Sequence, residues 1–158
     1  MLTLCHELRQ FGHDVSFITF RGRGLTQEVS RLGYPSDVVS VRAKVDPLAI
    51  IQMAKIIRRA NADIVHTHLS TSTVNGSIAA RLARRPAVAT VHGLSGKLSF
   101  LPATHLICVS NDVRRHMLDQ GVSASKLSVV HNGIVDVPIA SKQEARHSLG
   151  LPRCRHSR

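Results

Sequence analysis

Aromatic side chains are scarce in this chain of 158 residues: they make up 3% of it, and tryptophan is absent. Proteins that bind single-stranded nucleic acid use aromatic rings as stacking platforms, so this composition argues against that class. The hydrophobic fraction of 43% is ordinary for a globular protein. A core built mainly from Val, Ile, Leu and Ala is typical of parallel strands covered by helices.

The sequence contains three cysteines, which form no CxxC pair and are odd in number. This pattern argues against a disulfide scaffold and favours a reducing, cytoplasmic location. Cys108 lies within an apolar run, where we expect it to behave as a small hydrophobic residue. No segment approaches the roughly 18 apolar residues of a membrane span, and His6, Glu7 and Arg9 do not fit a signal peptide.

Acidic residues are also few: 10 Asp and Glu stand against 21 Lys and Arg, which gives a net charge of +11. Such a charge predicts an anionic partner, whether nucleic acid, a phospholipid surface or a phosphorylated sugar. The cations are spread over predicted helices, as at 58–59, 84–85 and 114–115. Solvated helix faces account for most of them, so a discrete nucleic-acid site is not expected.

Short apolar runs alternate with amphipathic segments along the chain. This alternation predicts an α/β fold, a Rossmann-like doubly wound parallel sheet in a single domain. Helix-start signals support it, since Asp46 precedes Pro47 and Ser141 forms a capping box with Glu144. Strands are predicted at 15–20, 37–41, 63–68, 87–92, 106–109 and 127–130, and helices at 2–11, 25–32, from 47, at 73–85, after 110 and from 141.

Four of the apolar runs end in a polar residue or a glycine. The carboxyl ends of parallel strands share one edge of the sheet, which is where such folds bind ligands. Three imidazoles, His68, His92 and His131, are therefore expected along this edge, together with the turn Asn132-Gly133. The sequence predicts the functional site there.

Five phrases carry a resemblance to a known family, and the pattern that they form by their order and spacing covers almost the whole chain, from Leu2 to about Pro152. They are Glu7 to Val15, Ala62 to His68, Val88 to Gly93, Leu106 to Val113 and Lys126 to Ile134. In their order and spacing they resemble the N-terminal, acceptor-side domain of retaining glycosyltransferases of the two-domain GT-B type, family 4. The resemblance assigns 1–150 to this domain and leaves 151–158 as a basic tail outside the pattern.

The resemblance implies a division of labour between two Rossmann-like domains. The N-terminal domain holds the acceptor, the other holds the nucleotide-sugar donor, and transfer occurs in the cleft between them without a metal. Family members open with a strand and a glycine-rich turn before the helix that here begins near Leu2. We therefore expect a fragment truncated at both ends, which lacks the central first strand between the second and fourth strands.

The function implied is the acceptor-side half of an enzyme that transfers a hexose from a nucleotide sugar to a glycan or lipid-linked acceptor. No cofactor beyond the donor is expected, and the fragment alone should be inactive because the donor-binding domain is absent. The alternative interpretation is a non-catalytic basic α/β module that binds a phosphorylated or nucleic-acid ligand. Family members often act near membranes, so peripheral contact with an anionic membrane is also expected.

By resemblance, His92 is the catalytic candidate, beside the transferred sugar, and Gly93 after it would let a ligand approach the backbone. A histidine that merely ends a strand remains the alternative. His66 and His68 are spaced as metal ligands can be, but the sequence places no third ligand near them and no metal site is expected. His68 is expected to contact substrate hydroxyls, and His66 to be structural.

The other substrate-binding candidates each have a plain structural alternative. Thr71 and Ser110 are candidates that can instead cap helices, and Asn132 and Gly133 are a turn signal first. Arg21, in the turn Arg21-Gly-Arg-Gly24, is predicted to hold an anionic acceptor headgroup or to be a solvent-facing cation. The irregular segment with Lys97, Leu98, Phe100 and Leu101 is a candidate membrane contact.

Overall fold

The computed structural model describes residues 1–22, 24–133 and 140–151. Arg23 lies outside the described residues. So does the predicted basic tail, 151–158, except for its first residue. Short 3₁₀ turns occupy Lys97–Ser99 and Ala124–Lys126. In chain order the elements are α1 (Leu2–Gln10), β1 (Phe17–Phe20), α2 (Leu25–Arg31), β2 (Ser36–Val39), α3 (Pro47–Arg59), β3 (Val65–His68), α4 (Ser70–Leu82), β4 (Ala87–Val91), β5 (His105–Cys108), α5 (Asn111–Asp119), β6 (Leu127–Val129) and α6 (Lys142–Ser148).

Every strand pairing in the described chain is parallel, which confirms the predicted α/β class. The strands form a two-stranded sheet, β1-β2, and a four-stranded sheet in the order β3-β4-β5-β6. The register places His68 beside Thr90 and Val91 beside Cys108. The carboxyl ends of β3 to β6 therefore share one edge.

The sheet is interrupted between β1 and β3. No backbone hydrogen bond joins these two strands, both of which are fully described. Yet Ile18 and Phe20 of β1 and Val65 of β3 pack against one core cluster, which includes the buried side of α3. The two sheets thus share one helix layer, and the interruption lies between the two strands that, by the family resemblance, should flank a central first strand.

Helices cover both faces of β1 and β2, as a doubly wound sheet requires. On one face Ile18 and Val39 pack toward α3, and on the other Phe17 contributes to a cluster with Val29 of α2 and Cys5 of α1. A further cluster packs α5 against β4, β5 and β6, with Cys108 and other side chains fully buried. Cys108 therefore behaves as the small hydrophobic residue that the sequence predicts.

The start of α3 follows from its cap. Asp46 accepts hydrogen bonds from the backbone N–H groups of Leu48 and Ala49 at 3.1 and 3.2 Å, and Pro47 occupies the first helical position. Asp46 also accepts from the Arg42 N–H at 2.9 Å, and these bonds lower the pKa of its carboxyl below the usual value. One carboxylate thus fixes both the helix start and the segment before it.

Helix α4 differs from the prediction in its start and in its buried face. It begins at Ser70 rather than at residue 73, and Leu82 in its last turn is 48% exposed. Its buried side consists mainly of small and polar residues. A Cβ at Gly76 would lie 2.9 Å from Thr67 Cγ2, so the helix lies too close to β3 for large side chains. Hydrophobic periodicity does not reveal such close packing.

Asn75 ties α4 to the segment before α3. Its side chain is fully buried, and its Oδ1 accepts a hydrogen bond from the Asp46 N–H at 2.8 Å. Its Nδ2 donates to the Lys44 and Thr71 carbonyl oxygens, both at 2.9 Å. The segment 41–46 is therefore fixed against α4 by a single buried amide.

Candidate functional site

Three imidazoles form a stack on one face of β3 and β4. Alternation along β3 puts His66 and His68 on the same face, and the β3–β4 register brings His92 to it, just beyond the end of β4. The ring centroids of His66 and His68 are 4.4 Å apart, and those of His68 and His92 are 5.3 Å apart. The predicted meeting of His68 and His92 at this edge is present.

Hydrogen bonds fix the order of the stack. His68 Nδ1 lies 3.0 Å from His92 Nε2, so one of these nitrogens donates a hydrogen bond to the other. His66 Nε2 lies 2.8 Å from Thr90 Oγ1, which anchors the first ring to the sheet. The bond at Nε2 orients the His92 ring and leaves its Nδ1 for an incoming hydroxyl. The Nδ1 of His92 is therefore placed to hydrogen-bond a ligand at this edge.

The environment of the stack favours the uncharged form of His66 and His68. Burial, followed by the proximity of His66 and His92, lowers the pKa of His68 from 6.5 to about 4. Desolvation and the nearby His92 also lower the pKa of His66. At neutral pH, His68 is therefore a neutral hydrogen-bonding partner of His92.

Stability is expected to fall as the pH is lowered from about 6.5 toward 4, because the unfolded chain protonates at His68 before the folded chain does. A shift of this size would be worth about 3 kcal/mol for a fully buried ring, and solvent screening at this partly exposed ring reduces it to about 1 kcal/mol. Urea midpoints measured across this range should show the decline. His68→Gln should flatten the profile and His147→Gln, on exposed α6, should not; an unchanged His68→Gln profile would contradict the assignment.

Gly93 and Ser110 follow the ends of β4 and β5 at the same edge. A Cβ at Gly93 would meet no atom within 4 Å, so the space above this backbone is open, as ligand approach requires. Ser110 accepts a hydrogen bond from the Val113 N–H at 3.2 Å and so caps α5. The structural alternative therefore accounts for Ser110, while its role as a substrate contact stays a prediction.

Asn132 and Gly133 follow β6, the outer strand, and are exposed. They lie at the carboxyl edge as predicted, but two strands separate them from β3 and none of their described contacts reaches the imidazole stack. His131 is likewise exposed. These residues border the site rather than form its centre.

The structural alternative for Thr71, that it caps the following helix, is wrong. Leu69 is the residue before α4, and among the described residues no side chain caps this end. Ser72 Oγ instead donates to the His68 carbonyl, and Thr73 Oγ1 donates to the Leu69 carbonyl at 2.7 Å. Leu69 has φ 68° and ψ 158°, a strained conformation normally confined to glycine. The first N–H groups of α4 consequently remain available.

Arg21 and Thr71, predicted independently, line the same cavity. Its volume is about 440 Å³, and Arg42 and Lys44 also line it. Sequence reasoning missed these two cations, although both precede the Asp46–Pro47 helix start in a segment that follows a strand end. Basic residues between the end of a strand and the start of a helix were the signal that could have indicated an anion-binding position.

The predicted membrane segment is only partly exposed. Phe100 is 2% exposed and belongs to the core around α5, so its assignment as a contact is wrong. Lys97 donates from its backbone N–H to Gln120 Oε1 at 2.8 Å, and its Nζ donates to the Gln120 carbonyl. Leu98 and Leu101 do project to solvent, with 74% and 52% exposure, as does Leu94 with 71%.

Two absences among the described residues bear on metal binding and on membrane crossing. No group of three or more His, Cys, Asp or Glu side chains is arranged to hold a metal ion. No helix there combines the length and apolar character needed to cross a bilayer.

The sequence profile of the family described as Glycosyltransferase Family 4 matches residues 1–136. The chain belongs to glycosyltransferase family 4. A curated family relative from Escherichia coli is UDP-Gal:alpha-D-GlcNAc-diphosphoundecaprenol alpha-1,3-galactosyltransferase. It is 34% identical over 107 residues, which cover 56% of this chain and 28% of that protein.

Solved structures of the same fold include glycosyltransferases. A glycosyltransferase from Rickettsia africae ESF-5 has a TM-score of 0.72 and 22% identity, covering 96% of this chain and 45% of that one. Anabaena Alr3699/HepE in complex with UDP and glucose has a TM-score of 0.69 and 18% identity, covering 94% and 46%. Acinetobacter baumannii MurG has a TM-score of 0.67 and 16% identity, covering 87% and 42%. This family 4 chain spans less than half of each of these proteins.

Proposed function

We propose that this chain forms the acceptor-side half of a retaining glycosyltransferase, which transfers a hexose from a nucleotide sugar to a glycan or lipid-linked acceptor. Family membership supports the reaction class. The observation that carries the proposal is the His68–His92 hydrogen bond at the carboxyl edge, which positions an imidazole pair where α/β folds bind ligands. The free thiols Cys5 and Cys108 agree with a cytoplasmic location.

In this proposal, His92 contributes by orientation and hydrogen bonding rather than by forming a covalent bond. Its Nδ1 contacts a hydroxyl of the transferred sugar, and His68 keeps the ring in one orientation through Nε2. A preorganised donor or acceptor of this kind accelerates transfer because it matches the charge that develops at the reacting centre. The donor diphosphate is bound mainly outside this chain, so the chain alone is inactive.

The test joins this chain to the C-terminal half of the E. coli relative and supplies UDP-galactose with a GlcNAc-diphosphate lipid. We expect galactose transfer, measured with radiolabelled donor, and no transfer by the unfused chain. UDP binding to the fusion checks that the added half is assembled. A fusion that binds UDP yet transfers hexose to no diphosphate-linked or free glycan acceptor would rule out the proposal.

The alternative of a nucleic-acid module has little support from the charge distribution. Several of the cations are already paired with carboxylates: Arg59 with Asp37 at 2.6 Å, Arg31 with Glu28 at 2.8 Å, Arg115 with Asp112 at 3.4 Å and Arg85 with Asp63 at 3.8 Å. Such pairs reduce the field that a phosphate backbone would encounter.

The lipid-linked acceptor would be reached from a membrane surface through Leu94, Leu98 and Leu101. Exposed leucines in a short irregular segment can insert into the headgroup layer. We expect the chain to float with phosphatidylglycerol vesicles, and the Leu94→Ser, Leu98→Ser double variant to float several-fold less. Leu48→Ser, which alters an equally exposed leucine on α3, is the matched control. Equal flotation of all three proteins would remove the membrane contact.

A further inference from the structure

A basic cavity lies beside the imidazole stack and is not part of it. Three separate segments form its wall: the end of β1 with Phe20 and Arg21, residues 41–44 after β2, and the first turn of α4 with Ser70 and Thr71. Its volume of about 440 Å³ exceeds what a single ion needs. It therefore accommodates an anionic group together with part of the molecule that carries it.

Three cations surround this space: Arg21, Arg42 and Lys44. Within the described part of the chain, no carboxylate lies within salt-bridge distance of their side chains. The Arg21 side chain is held in place, since its Nε donates to Ser40 Oγ at 3.0 Å. Its remaining guanidinium N–H groups stay available for an anion, which arginine binds in a bidentate manner.

The carboxylate near this cluster is already engaged. Asp46 Oδ2 accepts from the Arg42 N–H, and its Oδ1 accepts from the N–H groups of Leu48 and Ala49. Those bonds hold the acid through the backbone, and its negative charge also attracts the Arg42 guanidinium. Three cations against this one carboxylate still leave the cavity with a net positive charge.

The end of α4 adds backbone donors to the same wall. The helix has 13 residues, and among the described residues no side chain caps its first turn. The positive end of its dipole and its free N–H groups attract an anion. Leu69, whose backbone is strained, comes directly before this turn in the place of a capping residue.

We propose that this cavity binds the phosphate or diphosphate group of the acceptor. The groups that contact the phosphate are Arg21, Arg42, Lys44 and the first turn of α4. Anion binding itself stands on the geometry alone, whereas its assignment to the acceptor rests on the proposed function. The location of the cavity supports that assignment. Ser70 in its wall is only two residues after His68, the hydrogen-bond partner of His92. The acceptor would thus be held by its anionic group while its sugar reaches the imidazole stack.

The first experiment titrates the full chain with inorganic pyrophosphate and follows the Ser70 and Thr71 amide signals by NMR. We expect saturable shifts, and at least a tenfold loss of affinity in the Arg42→Ala, Lys44→Ala double variant. Lys55→Ala, which removes an exposed cation from α3, is the control and should bind as the unaltered chain does. Unchanged affinity in the double variant, with its spectrum otherwise native, would overturn the proposal, as would an equal loss in Lys55→Ala.

A second arm distinguishes a lipid headgroup from a soluble phosphate. Phosphatidylglycerol vesicles that displace pyrophosphate from the Ser70 and Thr71 amides identify a headgroup as the ligand source. Displacement by a soluble sugar phosphate and not by vesicles identifies a free phosphate. Displacement by neither overturns the proposal.

The fusion enzyme separates this inference from the proposed function. Transfer that persists undiminished in the Arg42→Ala, Lys44→Ala variant leaves the function intact and rejects the cavity as the acceptor site. Specific pyrophosphate binding by a chain whose fusion transfers nothing leaves the anion site intact and rejects the function.

Discussion

His92→Ala is expected to lower kcat for hexose transfer by the fusion enzyme about 100- to 1,000-fold, the effect typical of removing one preorganised hydrogen-bonding group at a reacting centre. The physical reason is the position of the ring: His68 holds its Nε2, so its Nδ1 meets the same substrate atom at each turnover. Initial rates at saturating donor and acceptor measure the effect.

His105→Ala provides the matched control for this prediction. His105 lies at the beginning of β5, on the same side of the sheet as His66, and its Nε2 lies 2.8 Å from Ser128 Oγ. The control therefore removes an imidazole from the same sheet while the carboxyl edge stays intact. Equal losses in the two variants would indicate a general effect on folding and contradict a catalytic role for His92.

Asn75→Ala is expected to cost about 3 kcal/mol of unfolding free energy, because it leaves the Asp46 N–H and the Lys44 carbonyl without their buried partner. A cavity at this fully buried position adds to the loss. Urea denaturation monitored by circular dichroism measures it.

The matched control is Asn111→Ala, which changes an exposed asparagine at the start of α5 and should alter stability by less than about 0.5 kcal/mol.

Asn75→Ala should also weaken pyrophosphate binding, because the segment that carries Arg42 and Lys44 loses its attachment to α4. Wild-type stability in Asn75→Ala would show that this network does not hold the segment.

The edge that carries the imidazoles was predictable, because a simple rule connects strand ends in the sequence with one side of a parallel sheet. His68 and His92 meet for that reason. The interruption between β1 and β3 was predictable from the resemblance to family 4, whose first strand lies between the second and fourth strands. Neither inference needed knowledge of side-chain packing.

The start of α4 and the meeting of three chain segments around the basic cavity were not predictable from the sequence. A run of Ser and Thr residues is typical of a helix cap, and nothing local indicates that Leu69 adopts a positive φ instead. The approach of Arg42 and Lys44 to Thr71 depends on the buried Asn75, a contact between residues about thirty positions apart. Such long-range polar contacts have no sequence periodicity.

The cavity has its wall on both sides of the interrupted sheet. Phe20 and Arg21 follow the two-stranded part, while Ser70 and Thr71 follow the four-stranded part. An anion seated there contacts both parts, so its binding energy and the cohesion of the two parts are thermodynamically linked. Any interaction that favours the association of the two parts therefore strengthens anion binding, and the anion favours their association by the same factor.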